Sequence, residues 1–196
     1  RDNYGQWCYV KDMTTGHVWS TAHQPSGTEP QWYRVLFASD RITFIRRDGD
    51  FDTVTEIAVA SDDAAEVRRV IITNRSLQAK EVELTSYSEV VLAPPDSDRA
   101  HPAFGNLFVQ TEFDEAKAAL LATRRPRSAT EAAIWCAHVV AFGPEVVGKV
   151  TCETDRAKFI GRGRSVRNAE ALDEGAELTG TVGAVRTIAA GIVDGR

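Results

Sequence analysis

The 196 residues predict a mainly β protein, an antiparallel β-sandwich with few short helices. Three observations carry that expectation. Short segments rich in β-branched and aromatic residues recur about every ten residues, the pattern of stacked antiparallel sheets. Several alternate with period two, so that Val82, Leu84 and Ser86 face one way while Glu81, Glu83 and Thr85 face the other. Turn-forming residues fall between these segments, and helical patterns are scarce.

Taken in order, Tyr4–Val10 already has the character of a strand inside a sheet. Strands are then expected over Gln31–Phe37, Arg41–Arg47, Thr53–Ala60, Glu66–Thr73, Lys80–Tyr87, Leu107–Glu112, Ala133–Val140 and Val150–Thr154. Asp48-Gly49 separates two of them and should close a hairpin. Asn74-Arg75-Ser76 should turn the next pair, because Asn tolerates the left-handed conformation. The alanine-rich stretches Glu112–Ala122 and Ser128–Ala137 each fit a short helix, but Ala118–Ala122 before Thr123-Arg124-Arg125-Pro126 equally fits a strand ending at a proline. Ile188–Arg196 stops without a cap or closing element. One sandwich domain over residues 1–196, cut from something longer, is the expected organisation.

Composition excludes several classes. With 43% hydrophobic and 26% charged residues and a net charge of −5, the chain reads as a water-soluble globule. Mild acidity argues against a nucleic-acid partner. No apolar run approaches a membrane span and the first residues lack a signal-peptide core, so this segment should make no membrane contact. Cys8, Cys136 and Cys152 are odd in number and far apart, which suits reduced thiols in a cytoplasmic-type compartment.

Charge is unevenly placed: Asp48–Glu66 holds seven acids and no base, whereas Lys149–Arg167 holds six bases and two acids. Within the second, the run E-T-D-R-A-K-F-I-G-R-G-R-S reads as a strand feeding an irregular loop, since Gly161 and Gly163 allow conformations other residues avoid. Arginines there offer planar forks suited to carboxylates, phosphates or paired hydroxyls, or else form an internally salt-bridged loop. This G-x-G lacks the context of a dinucleotide fingerprint.

In Thr85–Glu112, a Pro-Pro-punctuated loop carries Asp96, Asp98, Arg99 and His101, where binding groups tend to sit. A metal held by Asp96, Asp98 and His101 lacks any recognised ligand spacing, so no metal site is expected. Trp19 lies beside hydroxyl and amide groups and fits a sugar platform as well as a core position, while Trp7, Trp32 and Trp135 sit in apolar runs and are expected in the core. Asp48, Asp50 and Asp52 flank a hairpin tip and should be solvated. Glu89 with His101 or His138 would be needed for an epimerase-like acid and base, but no spacing supports them. No nucleophile–base signature is present.

Several stretches together carry a resemblance. Y-G-Q-W-C-Y-V-K-D-M-T-T-G-H-V-W-S, E-V-R-R-V-I-I-T-N, L-T-S-Y-S-E-V-V-L-A-P, D-R-A-H-P-A-F-G-N-L-F-V-Q-T-E, R-R-P-R-S and E-T-D-R-A-K-F-I-G-R-G-R-S occur in one order. They resemble the glycosyltransferase family 36 proteins, now glycoside hydrolase family 94, on the side of the cyclic β-1,2-glucan synthase branch, from Tyr4 to about Leu172. The resemblance implies a galactose-mutarotase-like supersandwich, followed in the parent enzyme by a helical linker and an (α/α)6 barrel. That barrel holds the general acid for single-step inverting phosphorolysis, in which phosphate takes the place of water.

By the same resemblance, the sandwich leans over the barrel mouth, contacts a β-linked glucan and takes part in a homodimer. It carries no catalytic residue and no cofactor, inorganic phosphate belonging to the parent's barrel, and any inner-membrane attachment lies in other segments. The substrate-binding residues implied are Asp155, Arg156, Gly161, Arg162, Arg164, Trp19 and His101, with Arg156 and Arg162 donating to hydroxyls, Asp155 accepting and Gly161 allowing close approach. Arg124, Arg125 and Arg127 would form a cationic patch or secure the domain to its neighbour. The competing expectation is a sandwich that docks domains or subunits without sugar affinity.

Overall fold

The described residues form twelve strands in three antiparallel sheets. In the computed structural model, residues 5–100, 105, 107–126, 128–143, 146, 149–182 and 187–195 are described, the last stretch by its backbone. His101 and Arg127 lie outside the described residues.

Gly49, with φ of +57°, supplies the positive φ of a two-residue hairpin turn that pairs Asp48 with Phe51. It joins β4 (Ile42–Asp48) to β5 (Phe51–Val59), and β3 (Trp32–Phe37) and β6 (Glu66–Asn74) complete a four-stranded sheet in the order β3-β4-β5-β6. The second predicted turn acts differently. Asn74 accepts the Ser76 N–H on Oδ1 at 2.9 Å and donates from Nδ2 to the Gln78 carbonyl at 2.7 Å. It thereby redirects the chain into another sheet instead of closing a hairpin.

That five-stranded sheet runs β11-β12-β7-β1-β2, built from β1 (Gln6–Asp12), β2 (Val18–Ser20), β7 (Glu81–Glu89), β11 (Thr151–Glu153) and β12 (Thr187–Gly195). The terminal segment, which the sequence leaves without a closing partner, is thus a strand inside a sheet. Its backbone pairs with β7 from Thr187↔Glu89 to Gly195↔Glu81.

The third sheet is β8 (Val109–Asp114), β9 (Ala119–Arg124) and β10 (Ile134–Val139), in the order β10-β9-β8. Neither alanine-rich candidate forms an α-helix: Glu112–Ala122 spans the end of β8, a 3-10 turn at Glu115–Lys117 and the start of β9, and Ser128–Ala137 ends in β10. Cross-strand burial of Leu120 and Ala122 against Val90, Val109 and Cys152 overrides their helix propensity. The Pro-Pro loop contains α1 (Pro95–Ala100), with Pro95 at its first position and Asp96 and Asp98 in its first turn. A second short helix, α2 (Arg156–Ile160), follows β11.

Register separates the two faces of the five-stranded sheet. Val10, Trp19 and Val82 point at Phe51 of the four-stranded sheet and form one core cluster. Tyr9 and Tyr87 point the other way, where residues 155–173 cover them with Phe159, Ile160, Ala169 and Leu172. Beneath the hairpin tip, Arg46 and Asp48 form a fully buried bidentate pair at 2.6 Å, and Arg46 also donates to the carbonyls of Ala22 (2.6 Å) and Thr28 (3.1 Å). Expected in solvent, Asp48 is instead buried. Asp52 pairs with Arg47 at 2.6 Å and Asp50 with Lys80 at 2.6 Å, so the acidic hairpin is neutralised by its own sheet neighbours.

The three cysteines are free thiols. No helix among the described residues is long and apolar enough to cross a membrane.

Candidate functional site

The cation-rich run after β11 is a strap laid across the Tyr9–Tyr87 face of the five-stranded sheet. It starts at Glu153, a residue 2% exposed, which accepts the Asp155 N–H at 2.7 Å and a hydrogen bond from the Thr179 hydroxyl. Asp155 has extended backbone (φ −82°, ψ 103°) and caps α2, its carboxylate accepting from the N–H groups of Ala157 (2.9 Å) and Lys158 (3.4 Å). The helix then drives Phe159 into the core, its ring 4.8 Å from Tyr87 and 6.5 Å from Tyr9.

Most of the predicted sugar donors are occupied within this strap. Arg156, about one-third exposed, donates from Nε to Glu89 Oε1 at 2.9 Å, and the Tyr87 hydroxyl donates to the same oxygen at 2.7 Å. Burial works against the Arg156 charge, but the Glu89 hydrogen bond and charge outweigh it and hold its pKa above the ordinary value. Glu89 is thereby absorbed into a structural triad, away from the acid role considered for it. Arg164 pairs with Asp173 at 2.7 Å, and Arg167 donates to the Ser26 carbonyl at 3.0 Å.

Gly161 does permit a close approach, but by the chain itself. At φ +84°, an added Cβ would sit 2.2 Å from Glu170 Oε2. Arg162 differs from its neighbours: it is exposed and, among the described residues, makes no hydrogen bond or ion pair.

Sheet burial decides Trp19 for the core and reverses the expectation for Trp32 and Trp135. Trp19 is fully buried, stacks on Phe51 at 5.6 Å and donates from Nε1 to Thr53 Oγ1 at 3.3 Å, so it cannot serve as an exposed platform. Trp7 is half-buried and stacks on Tyr87 at 5.5 Å. Trp32 and Trp135, expected in the core, are 40% and 62% exposed. The reason is shared: each lies on the outward face of its sheet, where apolar type alone does not fix direction.

Arg124 also departs from expectation. It is 4% exposed, its Nη1 donates to the Leu92 carbonyl at 3.3 Å, and its Nε and Nη2 have no hydrogen-bond acceptor. It therefore belongs to the interior, while Arg125 stays exposed with its guanidinium 5.7 Å from the Phe108 ring centre. Asp96 pairs with Arg99 at 2.5 Å, and the described residues include no cluster of three metal-binding side chains.

No nucleophile is activated in the described structure. Burial pushes the Cys8 thiol up to about 11, despite a hydrogen bond to Ser86 and the nearby Arg68 charge. Desolvation first, and Arg68 second, lower the pKa of His138.

The sequence matches the family described as glycosyl hydrolase 94, supersandwich domain, over residues 1–192. The match therefore runs into β12, well past Leu172, where the legible motifs end. The chain is 35% identical over 182 residues to the cyclic beta-(1,2)-glucan synthase NdvB of Rhizobium meliloti (strain 1021). That alignment covers 93% of this chain and 6% of the relative's length. Mostly antiparallel sheets and two concordant matches lead to one assignment: the chain belongs to the glycosyl hydrolase 94 family, as its supersandwich domain.

Proposed function

We propose that this chain is the carbohydrate-binding sandwich of an enzyme that builds or phosphorolyses β-1,2-linked glucan, covering a catalytic (α/α)6 barrel carried elsewhere in the same polypeptide. The observation that carries this reading is the 35% identity, over 93% of the chain, to a relative named for cyclic β-1,2-glucan synthesis. The supersandwich match supports the division of labour, in which bond-making residues reside on another domain. On this reading the isolated chain binds sugar and turns nothing over. Arg162 is the strap residue with an unoccupied guanidinium to donate to hydroxyls.

Titration of the chain with short linear β-1,2-linked glucans, followed by amide shifts, should give a saturable response. Arg162→Ala should weaken it roughly tenfold or more if the strap faces the sugar. No response at millimolar ligand would remove sugar affinity from the reading.

A second reading, docking without sugar affinity, is favoured by one specific observation. Asp155, Arg156 and Arg164 already have partners within the strap or its sheet. The same titration separates the two, because a docking surface leaves the glucan unbound.

A further inference from the structure

We propose that the outward face of the three-stranded sheet β8–β9–β10 is a carbohydrate-stacking surface, centred on Trp135, that takes a neutral β-linked glucan chain. This inference rests on the reading that the domain has sugar affinity, and adds a second contact surface outside the strap.

Register assembles the surface. Trp135 pairs with Thr123, and Thr123 with Gln110, so the three share one row across the sheet. Neighbouring strands lie about 4.8 Å apart, which makes the row roughly 10 Å wide. The next row is Ala137, Leu121 and Glu112. Beyond the other side of the Trp135 row, the Arg125 N–H donates to the Phe108 carbonyl at 2.9 Å and extends the same face.

Trp135 is 62% exposed, an unusual position for a large indole without a ligand or partner. Gln110, Glu112 and Arg125 are also exposed; among the described residues their side chains form no hydrogen bond or ion pair, and the Arg125 guanidinium lies 5.7 Å from the Phe108 ring centre. An amide, a carboxylate and a guanidinium are the planar groups that bond adjacent hydroxyls in pairs.

A pyranose has an apolar C–H face and a polar rim. The indole matches the first and the three planar groups match the second. One acid and one base leave the row without net charge, which complements an uncharged polyhydroxyl ligand better than a phosphate or nucleic acid. Trp32, the other exposed tryptophan, differs: Arg47 lies 5.9 Å from its ring centre and is held by Asp52.

The test is calorimetric titration of the chain with linear β-1,2-linked glucan oligosaccharides, with sedimentation measured alongside. Trp135→Ala should weaken binding at least about tenfold and Gln110→Ala severalfold, while Trp32→Ala leaves affinity unchanged. Trp135→Phe should restore part of the loss, because a smaller ring still stacks. Unchanged thermal midpoints would assign the losses to the surface and support the proposal. Saturable binding by the native chain with undiminished affinity in Trp135→Ala would overturn this surface alone. Absence of binding by the native chain would overturn the sugar reading with it. A native dimer that Trp135→Ala converts to monomer would show a second copy covering the face and would also overturn the proposal.

Discussion

Two regions of this domain hold charged and aromatic groups, and they use them in opposite ways. In the strap of residues 155–173, Phe159 is fully buried, Asp155 caps α2, and Arg156 and Arg164 have carboxylate partners. On the outer face of β8–β9–β10, Trp135 stands in solvent, the side chains of Gln110 and Glu112 have no partner among the described residues, and Arg125 lies over the Phe108 ring without a carboxylate partner there. The strap is conspicuous in sequence because it concentrates cations and glycines, but its interactions are spent on holding it down. The sheet face is inconspicuous in sequence, and its side chains remain available. Richness in binding residue types thus says less about a ligand than whether those residues already have partners.

The contrast can be broken by substitution, and the largest effect belongs to the strap. Phe159→Ala should lower stability by about 3–5 kcal/mol, because it opens a cavity between Tyr9 and Tyr87; a urea midpoint shift measures it. Asp155→Ala removes two capping hydrogen bonds and should cost about 1 kcal/mol in the same measurement. If sugar binding in Asp155→Ala fell while stability held, the cap would have a second role and the contrast would fail.

Trp135→Ala should change stability by less than about 0.5 kcal/mol, since an exposed side chain on an outward face leaves no cavity. A larger loss would show the indole to be structural.

The smallest effect concerns Asp173, whose hydrogen bond from Arg164 holds its carboxyl below the usual aspartate range. A depressed folded pKa contributes stability that is present above the ordinary aspartate value and lost as pH falls through the lowered one. Asp173→Asn should therefore flatten the acid limb of a stability–pH curve slightly. The difference should shrink in high salt, because the pair is solvent-exposed.

Much of the sandwich was legible beforehand. Segments such as Glu66–Thr73 and Lys80–Tyr87 alternate cleanly, and the corresponding strands start and end within two residues of expectation. The Gly49 turn was legible because positive φ has a chemical signature. Glu112–Ala122 was ambiguous, since alanine suits a helix until cross-strand burial decides.

Site residues were less legible for a different reason. Asp155, Arg156 and Arg164 were identified as hydrogen-bonding groups, but a sequence does not tell whether a donor's acceptor will be Glu89, sixty-seven positions away, or a ligand. Trp19, which fitted either a platform or the core, is core, and Trp135, expected in the core because it sits in a strand-like run, is exposed. The signal that could have separated them is polar pairing: Thr123 and Gln110 align beside Trp135, whereas Val10 aligns beside Trp19.

The sequence by itself determined that this chain alternates into strands, turns at Gly49, lacks a nucleophile motif and carries the ordered blocks of its family. Those properties are local, set by period-two patterning, backbone freedom and the identity of neighbouring residues. Only the tertiary structure decided which sheet each strand joined, that β12 lies between β7 and β11, and which charges were cancelled. Those outcomes depend on groups brought together from far along the chain. Burial and pairing set what each side chain is free to do, and both are properties of the packed assembly of sheets.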